Sequence, residues 1–179
     1  DYRGFMAECE ERLFAVASER LGVSSERCRL AYRRARADLY RSRPKDPAIF
    51  DWRERIPKLM SRLGQTADPL NAEYLFGQLW DHFTSMITPY PDVVPALRSV
   101  RLSGRRIAIL SNGAREQQAA KVSRLGLSQL VDAEIYSGDV GTNKPDRVIF
   151  DRALLALGVR PEESVMVGDL CHVDIKGGR

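Results

Sequence analysis

The stretch "VMVGDLCHVD", Val165 to Asp174, decides how this chain folds. With Ser164 before it, "SVMV" is a short apolar run that ends abruptly in Gly168-Asp169, and a second carboxylate, Asp174, follows five positions later. A brief apolar run closed by a turn signal reads as a buried strand. A carboxylate just past its last residue then lies at the carboxyl edge of a sheet.

Two further runs upstream have the same form. "RIAIL", Arg106 to Leu110, passes straight into Ser111-Asn112-Gly113, and "AEIYS", Ala133 to Ser137, leads through "GDVGTNKP" to Lys144-Pro145. Helical segments separate the strands: about 92–102 before Gly104, about 115–125 before Gly126, and about 146–157 before Gly158, with Pro161 beyond. Glycine after the last periodic residue is a helix stop. Short apolar strands joined by helices imply crossover connections and a parallel sheet covered on both faces.

Residues 1 to about 88 read differently, as helix throughout. Met6, Cys9, Leu13, Val16, Ala17 and Leu21 recur at helical spacing, with Gly22 after them. A second helix is expected from Ser25 to about Arg41, before Pro44. Asp46-Pro47 and Asp68-Pro69 each read as an N-cap followed by a first helical residue. Pro57 predicts a break or kink near Ile56 in the helix begun at Pro47. "TPYP", Thr88 to Pro91, reads as a linker. The expected organisation is therefore a helical domain, 1–88, ahead of an α/β domain, 89–179, built on a Rossmann-like parallel sheet.

The totals allow this. The chain has 179 residues, 44% of them hydrophobic, and a formal net charge of +4. No apolar run is long enough to span a bilayer. The opening "DYRGFMAECEE" is acidic and polar, unlike an export leader, and the expected location is the cytoplasm. Cys9, Cys28 and Cys171 are scattered, out of metal-ligand spacing, and read as free thiols. The basic tract "RCRLAYRRARADLYRSRPK" reads as a solvated helix face in preference to a nucleic-acid surface, because few aromatics interleave it and no nucleic-acid motif accompanies it. Nothing in the sequence speaks to oligomeric state.

The three strand ends carry the chemistry. In an open parallel sheet the carboxyl ends share one edge, where ligands bind, so groups far apart in sequence converge there. Ser111 offers a hydroxyl, and the amides of Asn112 and Gly113 at a helix start offer an anion cradle. Lys144 is a compact positive charge suited to a phosphate. Asp169 supplies the hard oxygen that Mg²⁺ prefers, and Asp174 stands ready to hold a metal-bound water. Each alone is an ordinary turn, a solvated lysine or a helix cap. Together and in order they are the equipment of phosphoryl transfer. His172 reads as a loop histidine beside this set, and His82, near Trp80 and Phe83, as a packing residue.

Ser111-Asn112, Lys144-Pro145 and Gly168-Asp169 with Asp174 resemble the second, third and fourth motifs of the haloacid dehalogenase superfamily. The resemblance covers the whole chain, since the helical half is similar to the cap these proteins insert between their first and second motifs. "DWRERI" and "SVMVGDLCHVDIKGG" are most similar to the branch containing N-acylneuraminate-9-phosphatase. The resemblance implies a Mg²⁺-dependent phosphatase acting on a small phosphorylated metabolite, with Ser111, Lys144 and Asp169 catalytic, Asn112 and Gly113 binding the phosphoryl group, and Asp169 and Asp174 serving the metal. It also implies an aspartate nucleophile on a first-motif strand ending in Asp-x-Asp, which forms an aspartyl-phosphate. No such strand is found in the sequence. The chain is expected to start after that motif and to stop before a final helix and strand, leaving the core incomplete at both ends and the chain by itself inactive. Two other readings are a 2-haloacid dehalogenase on the same fold, which needs no cation beside its nucleophile, and a non-catalytic module binding through the basic helix.

Overall fold

The computed structural model describes residues 2–42, 52–66 and 68–178. Among these, the contacts divide into two compact units, one holding the residues up to 87 and the other those from 88.

The first unit is four helices: α1 (Tyr2–Leu21), α2 (Ser25–Ser42), α3 (Trp52–Arg62) and α4 (Pro69–Met86). The local signals act as expected at several ends. Gly22 adopts φ +65° after α1, a left-handed turn open to glycine. Asp68 caps α4, its carboxylate accepting from Leu70 N at 3.2 Å and Asn71 N at 3.3 Å, with Pro69 as the first helical residue. The Asp46-Pro47 cap lies outside the described residues. Pro57 does not break its helix: α3 runs through it from Trp52 to Arg62. Proline inside a helix costs about 3 kcal/mol. Here Trp52, Ile56, Leu59 and Met60 on one face of α3 are all buried, and their packing outweighs that cost. The core joins them to Cys9, Leu13, Phe14, Tyr32, Leu75, Leu79 and Phe83.

The second unit alternates helix and strand: α5 (Val93–Leu102), β1 (Ala108–Ser111), α6 (Arg115–Arg124), β2 (Ala133–Tyr136), the single turn α7 (Ser137–Val140) and α8 (Arg147–Leu157). The two strands pair in parallel, with Ala108 opposite Ala133 and Ser111 opposite Tyr136. A crossover through α6 joins them, so the unit is α/β with a Rossmann-like arrangement. Asp146 caps α8 by accepting from Val148 N at 3.0 Å, and Gly158 ends it at φ +62°.

The third strand predicted at Ser164–Val167 does not form. The segment is without ladder partners, and Val165 and Val167 are 88% and 86% exposed. Its apolar sequence suits a strand, but a strand exists only where a neighbour takes its backbone groups. Among the described residues the sheet holds only β1 and β2. α5 likewise buries none of its side chains fully. No described helix is long and apolar enough to cross a membrane.

Candidate active site

The register brings the ends of β1 and β2 level, so the turn Ser111–Gly113 and the turn beginning at Ser137 leave the sheet side by side. The loop that follows α7 returns Lys144 to the same edge. Its ammonium donates to the Leu110 carbonyl at 2.8 Å and to Asp174 Oδ1 at 2.7 Å. Lys144 therefore sits at the end of β1 although 34 positions separate it from Leu110.

Asn112 fixes that loop with its side chain. Oδ1 accepts from Lys144 N at 2.8 Å, while Nδ2 donates to Lys144 O at 3.3 Å. Lys144 is thus held by its main chain and its ammonium together. The peptide between it and Pro145 is cis.

Asp174 is the other end of the clamp. It lies in a π-helical turn, Cys171–Ile175, and is 3% exposed. Oδ1 takes the lysine, and Oδ2 accepts from Leu170 N at 3.1 Å. Burial by itself raises the pKa of such a carboxyl. The hydrogen bonds from Lys144 and the Leu170 amide, with the charges of Lys144 and His172, outweigh it and hold Asp174 below the usual range. Gly168 is required for this fit: a Cβ there would stand 2.4 Å from Asp174 Cβ and 2.5 Å from its Oδ2.

The other expected residues are placed as follows. Ser111 ends β1, half-buried, with its hydroxyl 3.4 Å from both Asn112 O and Gln118 Oε1, distances that leave it weakly committed. The Gly113 amide was expected in the anion cradle. It donates instead to Ser137 Oγ at 2.7 Å, because Ser137 stands next to it across the sheet end. Asp169 is exposed and takes no hydrogen bond or ion pair among the described residues. Lys144, Asn112 and Asp174 are thus brought into one cluster, Ser111 adjoins it through Leu110 and Asn112, and Asp169 stands on the loop between Gly168 and Asp174. Sequence reasoning missed Ser137 and the side-chain role of Asn112. The signal for both was register, since Asn112 and Ser137 each follow the last paired residue of a strand.

As a magnesium site, this donor set fits on one side only. Asp169 presents an exposed carboxylate on the loop before Asp174, of the oxygen type suited to an ion that uses few protein oxygens and keeps its waters. Both Asp174 oxygens are already engaged, and no group of three or more acidic, histidine or cysteine side chains gathers among the described residues. Two hollows among the described residues are lined by other side chains. One of about 500 Å³ is lined by Arg12, Gln78 and His82, and one of about 370 Å³ by Arg115, Tyr136 and Arg152.

A family model for haloacid dehalogenase-like hydrolases matches residues 4–179. The chain belongs to that family. Among curated relatives, it is 34% identical over 119 residues to a glyceraldehyde 3-phosphate phosphatase of Methanopyrus kandleri, a match covering 66% of this chain and 51% of the relative. The chain spans about half the length of that relative, and 41% and 36% of two others it resembles. Among solved structures, a HAD phosphatase from Thermococcus onnurineus superposes with a TM-score of 0.71 at 25% identity, over 97% of this chain and 74% of that one. A 2-haloacid dehalogenase from Pseudomonas syringae pv. Tomato superposes as well, TM-score 0.71 at 24% identity with the same coverage. At that identity the likeness shows the fold alone, so the haloacid dehalogenase-like fold does not by itself separate the two chemistries.

Proposed function

We propose that this chain is part of a Mg²⁺-dependent phosphatase acting on a small phosphorylated metabolite in the cytoplasm. One observation supports the reading above the rest: the Lys144 ammonium, held between a buried carboxylate and the Leu110 carbonyl near the end of β1, with its main chain pinned by Asn112. A cation fixed at a sheet edge offsets the charge of a phosphate and of an attacking carboxylate. The curated relatives named as phosphatases of glyceraldehyde 3-phosphate and phosphoserine favour a phosphate ester over a halide. Three free cysteines suit a reducing compartment.

In this reading Ser111 and the Asn112 main chain receive the phosphoryl oxygens, and Asp174 serves Lys144 by fixing its position. Asp169 would contribute one carboxylate oxygen to the ion, which when bound polarises the phosphoryl group. The nucleophile is an aspartate outside residues 1–179. Its carboxylate oxygen bonds to phosphorus as the ester P–O bond breaks, and the leaving oxygen takes a proton from the second aspartate of the same Asp-x-Asp motif, which recovers one from the water of the next step. Water then releases inorganic phosphate and regenerates the carboxylate. The helical unit plays the part of a cap that selects the substrate.

The test is phosphate release from p-nitrophenyl phosphate and from small phosphate esters. Residues 1–179 alone are expected to be inactive, and the complete protein active and chelator-sensitive. In the complete protein Lys144→Met should lower kcat by about 10²–10³-fold, with Lys144→Arg a poor substitute. Chelator-insensitive halide release from a 2-haloacid, or turnover by residues 1–179 that Asp169→Ala abolishes, overturns the proposal.

A further inference from the structure

We infer that Ser137, with Gly138 beside it, is a positioning element that sets the shape of the anion-binding turn Ser111–Gly113. The inference rests on the phosphatase reading for its purpose, though not for its geometry.

Ser137 is completely buried at the start of α7. Its hydroxyl accepts the Gly113 amide at 2.7 Å and lies 3.5 Å from the Gly113 carbonyl, toward which it donates. The Gly138 amide donates to that same carbonyl at 3.0 Å. Both peptide groups of Gly113 are thus held from the β2 side. A Cβ on Gly138 would meet Ala114 Cα at 3.0 Å and Arg115 N and Gly113 O at 3.1 Å, so the two turns are in backbone contact. One residue further on, Arg115 pairs with Asp139 at 2.8 Å and lies over the Tyr136 ring. The opposite side of the same turn is held by the Asn112 carboxamide on Lys144.

Gly113 itself needs this support. It sits at φ +135°, a conformation L side chains rarely adopt. A glycine turn left to itself samples many conformations, and a cradle that must match phosphoryl oxygens loses effect with small displacements. A buried serine whose hydroxyl serves only the backbone next to Ser111 and Asn112 removes that freedom. The cradle's donors are then the Ser111 hydroxyl, the Asn112 main chain and Lys144, with Gly113 reserved for Ser137.

The experiment follows amide hydrogen exchange and inorganic phosphate titration by NMR on the complete protein. Ser137→Ala should quicken exchange at Gly113 by about tenfold or more, because its amide loses its buried acceptor. It should weaken phosphate binding by about tenfold while the amides of α8 keep their protection. Ser137→Thr keeps the hydroxyl and should restore both. Gly138→Ala should weaken phosphate binding similarly by pushing on Ala114, and stands in if Ser137→Ala fails to fold. Unchanged Gly113 exchange in Ser137→Ala, unchanged phosphate affinity in both variants, or faster exchange across the whole unit overturns the inference. If the unsubstituted complete protein shows no phosphate response at Ser111, Asn112 or Lys144, the phosphatase reading fails, and Gly113 exchange alone decides the clamp.

Discussion

The two units of this chain are held together by different means. In the helical unit, large apolar and aromatic side chains close on each other: Trp52 meets Phe83 edge-on at 5.1 Å, Phe14 meets Tyr32 at 5.5 Å, and Leu59, Met60 and Leu75 are wholly buried. In the α/β unit the buried apolar side chains among the described residues are Val122, Ile135, Tyr136 and Ile149, while Leu102, Val165, Val167 and Leu155 lie open at 73–89% exposure. The difference follows from where backbone hydrogen bonds go. A helix satisfies its own peptide groups, so four helices need only bring their apolar faces together. A strand must borrow partners, and a two-stranded sheet leaves its outer apolar residues without a surface to meet. Beside those few apolar side chains, the tight part of the α/β unit is a polar set: Lys144, Asp174, Asn112, Gly113 and Ser137.

The comparison breaks first at the buried ion pair. Lys144 and Asp174 have side-chain exposures of 11% and 5%, so Asp174→Ala strands a buried ammonium. Loss of one partner in such a pair costs about 3–5 kcal/mol. Denaturant unfolding should show that loss in the α/β unit's transition. A fall below about 1 kcal/mol would mean that packing, and not the polar clamp, holds the unit. Next in size, Leu59→Ala should cost the helical unit about 2–5 kcal/mol, as a cavity in a filled core does. The matching change in the other unit, Leu155→Ala, should stay within about 0.5 kcal/mol because that side chain is 73% exposed. Equal losses at the two leucines would erase the contrast.

Much of this was legible in the residues, and the limits have physical causes. Local chemistry was read directly: Asp68-Pro69 starts α4, Gly158 stops α8, and the strand at Ala133–Tyr136 stands where "AEIYS" placed it. Pro57 misled because its cost is local, whereas the burial of Trp52, Ile56 and Leu59 that overrides it is tertiary. "SVMV" misled for the same reason in reverse, since its strand character depends on a neighbour that no local pattern reports. At the site, Lys144 and Asp174 were named as members of one edge. Their direct pairing, the Asn112 side-chain bridge and the Ser137 hydroxyl were not, because they depend on which residues face each other beyond the last paired positions of β1 and β2.

A last, pH-dependent effect sharpens the contrast with two carboxylates that both lie among cations. Glu10 in the helical unit is near Arg36, Arg55 and Arg33, yet burial pushes its pKa up and the arginines only partly offset it. Its contact with Arg36 is 3.4 Å long. Asp174 is more buried, yet hydrogen bonds at 2.7 and 3.1 Å leave its pKa lowered. Short hydrogen bonds to the charged form defeat burial, and charges at a distance do not. The pH signs are therefore opposite. For Asp174 the lowered folded pKa gives stability that is present above the unfolded carboxyl pKa and is lost as pH falls through the folded one. For Glu10 the raised folded pKa means that ionisation costs stability above the unfolded pKa, and acid relieves the cost. Glu10→Gln should thus leave the helical unit equally stable or slightly more stable at pH 7, by no more than about 1 kcal/mol given partial exposure and solvent screening. The advantage should vanish as pH falls toward 4, near the ordinary glutamate range. Thermal unfolding of both proteins between pH 4 and 8 measures it. A Glu10→Gln variant markedly less stable at pH 7, with the deficit shrinking in acid, would show that Glu10 is clamped as Asp174 is, and that the helical unit also relies on a polar lock.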